Sequence, residues 1–164
     1  MQSQQAVQAE ADLRTRFSIR PARIEDAEAL ADLSGQLGYP SSPDEVKRRL
    51  VPLLGQAEHA IFVAEANELE PRQQCVGWIH GFVKHTLEAD PAAELAGLVV
   101  DEAWRGRGVG RSLIDAVERW ARSVECGTLT IRCNAIRERA HVFYQNLGYS
   151  VVKTQRIFRK NISS

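Results

Sequence analysis

Arginine and glycine alternate along residues 105–111, RGRGVGR, shortly after an apolar run and directly before an amphipathic segment. This order of residues indicates a strand, a tight glycine loop and the beginning of a helix. The first N–H groups of a helix have no partners within it, and the positive end of the helix dipole lies beside them. Glycines let an anion approach the backbone, and Arg105, Arg107 and Arg111 add positive charge. The stretch therefore predicts a site for a phosphorylated ligand.

Two common phosphate-binding patterns do not fit this stretch. The dinucleotide pattern G-x-G-x-x-G requires a glycine where the sequence has Leu113. The nucleotide P-loop requires another spacing after Gly106, and Lys-Ser/Thr at positions 111 and 112, where Arg-Ser stands. The pattern that remains is [RQ]-x-x-G-x-G, which residues 105–110 match. An ordinary basic turn ahead of a helix is the simpler alternative.

A second motif, NAIRERAHVFYQNLGY, lies at residues 134–149 and follows a short predicted strand. It fits the spacing N-x(5)-A-x-x-F-Y-x-x-x-G-[FY], whose fixed positions are Asn134, Ala140, Phe143, Tyr144, Gly148 and Tyr149. The two motifs together resemble the hallmarks of the GNAT superfamily of N-acetyltransferases, because they occur in the expected order with one helix and one strand between them. The resemblance covers roughly residues 17–162 and is densest over residues 94–149.

The hydrophobic periodicity agrees with the α/β fold of that superfamily. The order β-α-α-β-β-β-α-β-α-β describes a central mixed β-sheet of about six or seven strands flanked by about four helices. We interpret Ser42–Glu45 as a capping box, Gly97 as the position of a β-bulge, and residues 149–162 as the last one or two strands. We expect a disordered N-terminal extension over residues 1–16 and a single N-acetyltransferase domain over residues 17–164.

The resemblance implies that acetyl-coenzyme A is the acetyl donor and that no metal is needed. The main chain of Leu98, Val99 and Val100 would pair with the pantetheine arm as with another strand, and a bulge at Gly97 would admit it. The backbone amides of residues 106–111 would hold the pyrophosphate. The predicted coenzyme contacts are Leu98, Val99, Val100, Arg105, Gly106, Arg107, Gly108, Val109, Gly110, Arg111, Asn134 and Tyr144.

Glu94 is the best candidate for a general base. It lies eleven residues before Arg105, the spacing at which histone-type members of the superfamily carry their catalytic glutamate. An amine with a pKa of about 10.4 is mostly protonated at pH 7, and freeing it costs about 4–5 kcal/mol. A nearby carboxylate can take that proton directly or through water. His80 and His85 are alternative bases, and a solvated acid at the end of a strand is the alternative for Glu94.

Tyr144 is the predicted general acid, because the resemblance implies that role for the tyrosine of the FY pair. A phenol with a pKa of about 10 stays protonated at pH 7, and it can donate to a thiolate whose conjugate acid has a pKa of about 8.5. A place in the apolar core is the alternative for Tyr144. Asn134 precedes the last helix and is expected to cap it, to bind the coenzyme, or to do both.

The acceptor is predicted to be a primary amine of a small molecule or a peptide, attacking the thioester directly in a ternary complex. Tyr39, Trp78 and His80 are the candidate acceptor contacts, and the acidic residues Glu88 and Asp90 favour a cationic amine. The alternative function is a non-catalytic acetyl-coenzyme A binding or sensing module, which would need the glycine loop but neither catalytic residue. A cysteine hydrolase is disfavoured, because no helix N-terminus is predicted beside its candidate nucleophile to lower the thiol pKa.

Composition excludes other classes of partner. Lys+Arg and Asp+Glu each number 21, so no net charge attracts nucleic acid, and no run of residues is long enough for a membrane span. The first sixteen residues lack the apolar segment of a signal peptide. Three cysteines without metal-type spacing predict reduced thiols and a cytoplasmic location. We therefore expect neither nucleic acid nor membrane as a partner, and a homodimer stays open.

Overall fold

The computed structural model describes residues 17–67 and 74–162. The chain divides into two compact units, Met1–Ile131 and Arg132–Ser164. The expected N-terminal extension, residues 1–16, lies outside the described residues. The single domain stays a prediction.

The first unit is built on a five-stranded sheet whose strands follow one another in chain order. The strands are β1 (Phe17–Pro21), β2 (His59–Ala66), β3 (Cys75–Lys84), β4 (Ala92–Val100) and β5 (Leu129–Ile131). Neighbouring strands are antiparallel from β1 to β4, whereas β4 and β5 are parallel. This mixed sheet confirms the predicted α/β fold class.

The described residues form four α-helices: α1 (Ala27–Leu37), α2 (Pro43–Leu50), α3 (Val109–Ser123) and, in the second unit, α4 (Glu138–Asn146). The predicted capping box is confirmed at the start of α2. The Ser42 hydroxyl accepts a hydrogen bond from the Glu45 N–H at 3.3 Å, and the Glu45 carboxylate accepts one from the Ser42 N–H at 2.9 Å. Pro43 follows at the first helical position, where a missing N–H is tolerated.

Two glycines of β3 allow α3 to lie close to the sheet. A Cβ added to Gly81 would lie 2.8 Å from Val117 of α3, and a Cβ added to Gly77 would lie 2.9 Å from the carbonyl oxygen of Val99 in β4. A side chain at either position would therefore push α3 or β4 away. Leu113 and Val117 of α3 are fully buried as a result of this close packing.

Helices α1 and α2 cover the opposite face of the sheet. Leu30 and Leu50 from these helices form a core cluster with Ala22 and Val63, and the ring of Trp78 packs against that cluster. Residues two apart in a strand share a face. The even-numbered residues of β3, which include the candidate acceptor contacts, therefore face α1 and α2.

The prediction of one or two strands at residues 149–162 is wrong. Within the described residues the sheet has five strands rather than six or seven. In the described part of the second unit, residues 150–162 form no regular secondary structure and are exposed throughout. Their apolar residues, among them Val151, Val152, Ile157 and Phe158, suit a strand, but a strand also needs a neighbour that accepts its backbone hydrogen bonds. Among the described residues, the backbone of this segment makes no such bond.

Candidate active site

Strand β4 loses its partner on one side halfway along its length. β5 pairs with β4 only at residues 93–95, whereas β3 pairs with β4 as far as Val100. The register between β3 and β4 skips Ala96, which confirms the bulge predicted at Gly97. In the part of the chain that the structure describes, no strand pairs with residues 98–100 on the side of β5. An extended ligand can pair with the main chain there.

The ring of Trp78 explains why position 97 is a glycine. A Cβ at Gly97 would lie 2.9 Å from Cη2 and 3.1 Å from Cζ3 of that ring. The indole Nε1 of Trp78 is buried and has no hydrogen-bond acceptor among the described residues. A buried donor without a partner costs about 1–3 kcal/mol.

The glycine loop ends in a helix N-terminus that no side chain caps. Gly106 and Gly108 have φ of 75° and 83°, the left-handed conformation that glycine adopts without strain. Gly108 is the N-cap of α3, and a glycine has no side chain with which to cap the helix. The first helical bond joins the Ser112 N–H to the Gly108 carbonyl oxygen at 3.0 Å. The amides of residues 109–111 are thus placed to bind an anion.

The arginines of this loop have separate roles. The Nε of Arg105 donates a hydrogen bond to the carbonyl oxygen of Val100 at 3.1 Å, which joins the loop to the end of β4. The guanidinium of Arg107 lies 5.1 Å from the centroid of the Trp104 ring, a cation–π contact. The side chain of Arg111 is exposed. These contacts hold the loop in shape and leave positive charge at its surface.

Glu94 lies in β4 just before the bulge, and its side chain is only 11% exposed. Its carboxylate forms an ion pair with the Nζ of Lys84 at 3.5 Å. Glu94 stands directly opposite Phe82 of β3, so it shares the α1–α2 face with Trp78 and His80. The alternative of a solvated acid is wrong, because the side chain is buried. The catalytic role of Glu94 stays a prediction.

A pair of histidines lies on the same face. The Nδ1 of His59 and the Nε2 of His80 are 3.0 Å apart, and both rings contact the ring of Phe82. Burial, and to a smaller extent the neighbouring His59, lowers the pKa of His80 to about 4, so this imidazole is neutral at pH 7. The other alternative base, His85, lies at the surface with its Nε2 at 2.8 Å from the carboxylate of Glu58.

Tyr144 belongs to the second unit, where its ring contacts Phe143 and Tyr149 at centroid distances of 5.2 and 6.1 Å. Burial, with a smaller contribution from Cys133, raises the pKa of Tyr144 to about 12. The phenol is therefore protonated at neutral pH, as a general acid requires. No residue of α4 is fully buried, which weakens the alternative of a core position.

Asn134 stabilises the turn before α4 rather than the helix end. Its side-chain oxygen accepts a hydrogen bond from the Ile136 N–H at 3.2 Å, whereas the N-cap of α4 is Arg137. The expectation that Asn134 caps the helix is wrong, because the turn takes up the residues after Asn134 and the helix begins only at Glu138. Binding of the coenzyme by Asn134 stays a prediction.

Tyr39 lies in the loop between α1 and α2 and is 68% exposed. Gly38, with φ of 96°, ends α1, and the Tyr39 N–H donates to the Ser34 carbonyl oxygen at 2.9 Å. The loop therefore presents the ring to solvent. Contact of Tyr39, Trp78 and His80 with an acceptor stays a prediction.

Three residues of the site carry no motif in the sequence. His59 and Lys84 reach their partners across neighbouring strands, and the strand register that brings them together depends on the whole sheet. Gln36 of α1 donates to a carboxylate oxygen of Asp101 at 3.1 Å and accepts from the Glu102 N–H at 3.2 Å, which ties α1 to the start of the loop. The contact between His59 and His80 had a single signal in the sequence: the two histidines occupy positions on the same face of neighbouring strands.

The sequence matches the family described as "Acetyltransferase (GNAT) family" over residues 26–149. An "Aminoglycoside N(6')-acetyltransferase type 1" from Stenotrophomonas maltophilia is 33% identical over 145 residues, which cover 85% of this chain and 89% of that relative. The chain therefore belongs to the GNAT acetyltransferase family. Membership confirms the class expected from the two motifs, an N-acetyltransferase whose acetyl donor is acetyl-coenzyme A.

Solved structures agree with this fold. The aminoglycoside antibiotic 6'-N-acetyltransferase AAC(6')-Ih from Acinetobacter baumannii superposes with a TM-score of 0.74 at 22% identity, over 90% of this chain and 99% of that one. AAC(6')-Iy, in complex with the bisubstrate analogue CoA-S-monomethyl-acetylneamine, superposes with a TM-score of 0.75 at 23% identity, over 88% of this chain and 98% of that one. At these identities the likeness establishes the fold.

The described part of the chain shows no sign of a membrane span or a metal centre. No helix there is long and apolar enough to cross a membrane, and no three His, Cys, Asp or Glu side chains are grouped to hold a metal ion. Cys75, Cys126 and Cys133 are free thiols, and burial raises the pKa of Cys75 to about 11. A thiol with such a pKa is unreactive at neutral pH.

We expect Gly108→Val to weaken acetyl-coenzyme A binding by about 10–100-fold, the value of one lost hydrogen bond to a charged group. A Cβ at Gly108 would meet no protein atom within 4 Å, so the new side chain would not clash with the fold but would stand beside the amides predicted to bind the phosphate. Titration calorimetry measures the affinity. Unchanged affinity would contradict the assignment of this loop to the coenzyme.

Gly55→Val is the matched control for that experiment. Gly55 has φ of 77° and also has no protein atom within 4 Å of an added Cβ. Both substitutions put a β-branched residue in the left-handed region, at a cost of about 1–2 kcal/mol. The two variants should therefore lose similar stability in thermal unfolding, while only Gly108→Val loses affinity.

Proposed function

We propose that this chain transfers the acetyl group of acetyl-coenzyme A to a primary amine of an aminoglycoside-type amino sugar. The observation that carries the proposal is the course of β4: a buried carboxylate, a bulge, and a stretch of main chain beside which β5 has ended. The curated relatives support the acceptor class, because they are named aminoglycoside N(6')-acetyltransferases. A cytoplasmic location and a homodimer stay predictions.

Direct attack of the amine on the thioester is favoured over a covalent acetyl-enzyme. Burial raises the pKa of the Cys133 thiol, so this cysteine is not activated. The Nε2 of His141 lies 3.0 Å from the carbonyl oxygen of Asn134 and is engaged there. In direct attack the C–N bond forms as the C–S bond breaks, and both substrates must be bound together.

The coenzyme would lie along β4 and end at α3. The main chain of residues 98–100 would pair with the pantetheine arm, and the amides of residues 106–111 would bind the pyrophosphate. Hydrogen bonds to charged groups contribute about 1.5–3 kcal/mol each. Several of them can account for much of a micromolar affinity, which corresponds to about 8 kcal/mol.

Glu94 would take the proton that the acceptor ammonium must lose before it can attack. Its carboxylate is buried beside the bulge, close to where the acetyl group would lie if the pantetheine arm follows residues 98–100. The ion pair with Lys84 holds the carboxylate in position. Tyr144 would return a proton to the departing thiolate, since its raised pKa keeps the phenol protonated.

A polycationic, hydroxyl-rich acceptor suits the exposed groups of the first unit. The loop of residues 85–91 between β3 and β4 is exposed and carries Glu88 and Asp90, which would attract ammonium groups. Tyr39 would close over the sugar from the α1–α2 loop.

The acceptor is tested with a matched pair of aminoglycosides that differ only in a 6′-amine or a 6′-hydroxyl group. We expect coenzyme A release with the 6′-amine compound and at least about 100-fold slower release with its 6′-hydroxyl counterpart. General acid–base catalysis contributes about 10²–10⁴-fold, and it acts only when the reacting amine lies in the site. A lysine-containing peptide is the control acceptor. Equal rates with the peptide would contradict the sugar as acceptor, and binding without any release would favour the non-catalytic module.

Glu94→Gln should lower turnover at neutral pH by about 10²–10⁴-fold, the usual contribution of a general base. The loss should shrink as the pH rises toward the pKa of the amine, because free amine is then abundant. Lys84→Met is the comparison variant: it removes the ion pair but keeps the carboxylate, so it should lose less turnover than Glu94→Gln. A Glu94→Gln profile of unchanged shape and height would place the base elsewhere.

Tyr144→Phe keeps the ring and its contacts with Phe143 and Tyr149 but removes the hydroxyl. If the hydroxyl is the general acid, turnover should fall by about 10²–10⁴-fold while coenzyme affinity and the melting temperature change little. Both quantities are measured on the same variant. Near-normal turnover would indicate that Tyr144 contributes to packing and not to catalysis.

A further inference from the structure

The histidine pair of β2 and β3 has a geometry that suits proton transfer. Only 3.0 Å separates the Nδ1 of His59 from the Nε2 of His80, and the ring centroids are 5.3 Å apart. Both rings also contact Phe82, at centroid distances of 6.2 and 6.3 Å, which restricts their rotation. The pair is therefore held in one arrangement by packing and by its own hydrogen bond.

The shared hydrogen bond determines what the two outer nitrogens can do. One hydrogen lies between the facing nitrogens of the two neutral rings, so one ring donates and the other accepts. If His80 donates through Nε2, its Nδ1 is an acceptor and the Nε2 of His59 carries a hydrogen. If His59 donates instead, the two outer nitrogens exchange these roles. A proton that enters at one end can thus leave as a different proton at the other.

The pair transmits a proton rather than storing one. Burial, followed by the neighbouring His59, lowers the pKa of His80 to about 4, so the imidazole does not stay charged at neutral pH. The charged groups nearest along these strands are already paired, Lys84 with Glu94 at 3.5 Å and His85 with Glu58 at 2.8 Å. None of these ion pairs includes either nitrogen of the shared bond.

The two ends of the pair lie toward different surroundings. Phe82 stands opposite Glu94, so His80 is the diagonal cross-strand neighbour of Glu94, with about 7–8 Å between the two Cα atoms and both side chains on the same face. His59 lines a cavity of about 230 Å³ together with Leu54 and Ile61. Such a cavity has room for several waters at about 30 Å³ each.

We propose that His80 and His59 form a proton relay from Glu94 to the water of this cavity. The relay rests on the proposed function, because acetylation of an ammonium group releases one proton overall. The ammonium gives that proton to Glu94, and the carboxylate passes it through bridging water to the Nδ1 of His80. The Nε2 hydrogen of His80 moves to the Nδ1 of His59, and the Nε2 hydrogen of His59 leaves to water.

The rest of the reaction balances without another reactant. The neutral amine then attacks, the C–N bond forms, and the C–S bond breaks with its electron pair on sulfur. The second amine proton replaces the one that Tyr144 gives to the thiolate. When the site is empty, water reaches both ends of the pair, and exchange restores the starting tautomers.

Two conservative variants separate a relay from a structural pair. Asparagine places its amide nitrogen near the position of an imidazole Nδ1, so His59→Asn keeps a partner for His80 but removes the outer nitrogen. Glutamine mimics Nε2, so His80→Gln keeps a partner for His59. We expect each variant to lose about 10-fold or more in kcat at pH 7, with little change in KM. Added imidazole should restore several-fold of the lost rate.

Phe82→Leu is the control, because it loosens the packing of both rings without removing a proton carrier. Any rate that it loses should not respond to imidazole. Normal turnover in His59→Asn, or a loss that imidazole does not relieve, would overturn the relay. His59 is partly exposed, so His59→Asn still provides the test if His80→Gln fails to fold. Absence of amine acetylation by the unaltered chain would instead overturn the proposed function, and the relay with it.

Discussion

The parallel pairing of β4 with β5 ends after residues 93–95, and the geometry of the proposed coenzyme site depends on that limit. Up to this point β4 is an interior strand, and its Glu94 is buried between neighbours. Beyond the bulge, β4 keeps only β3 as a strand partner within the described residues. One strand therefore buries an acid in its first half and offers its main chain to a ligand in its second half.

Glycines supply the clearance that this arrangement needs. Gly77 and Gly81 let α3 lie against β3, which carries the N-terminus of α3 to the end of the open stretch of β4. Gly97 leaves room for the ring of Trp78 on the opposite face. A larger side chain at any of these positions would alter the site without touching a substrate atom, since helix and strand positions would shift together.

Local patterns predicted local structure well and long-range partners poorly. The capping box at Ser42 and the start of α3 after the glycine loop are each decided within a few residues, so the sequence indicated them correctly. The bond between His59 and His80 depends on the register of β2 against β3, which the whole sheet determines. The same reason explains the failure at residues 150–162, where an apolar pattern finds no strand partner within the described residues.

The open edge of β4 also affects the stability of the folded chain and its tendency to associate. An unpaired strand edge is a template for association with other chains. A coenzyme that pairs with residues 98–100 recognises only the folded state, and at 100 times its dissociation constant such a ligand adds about 2.7 kcal/mol to the free energy of unfolding. With the proposed coenzyme bound there, the unfolded population would fall by the corresponding factor of about 100.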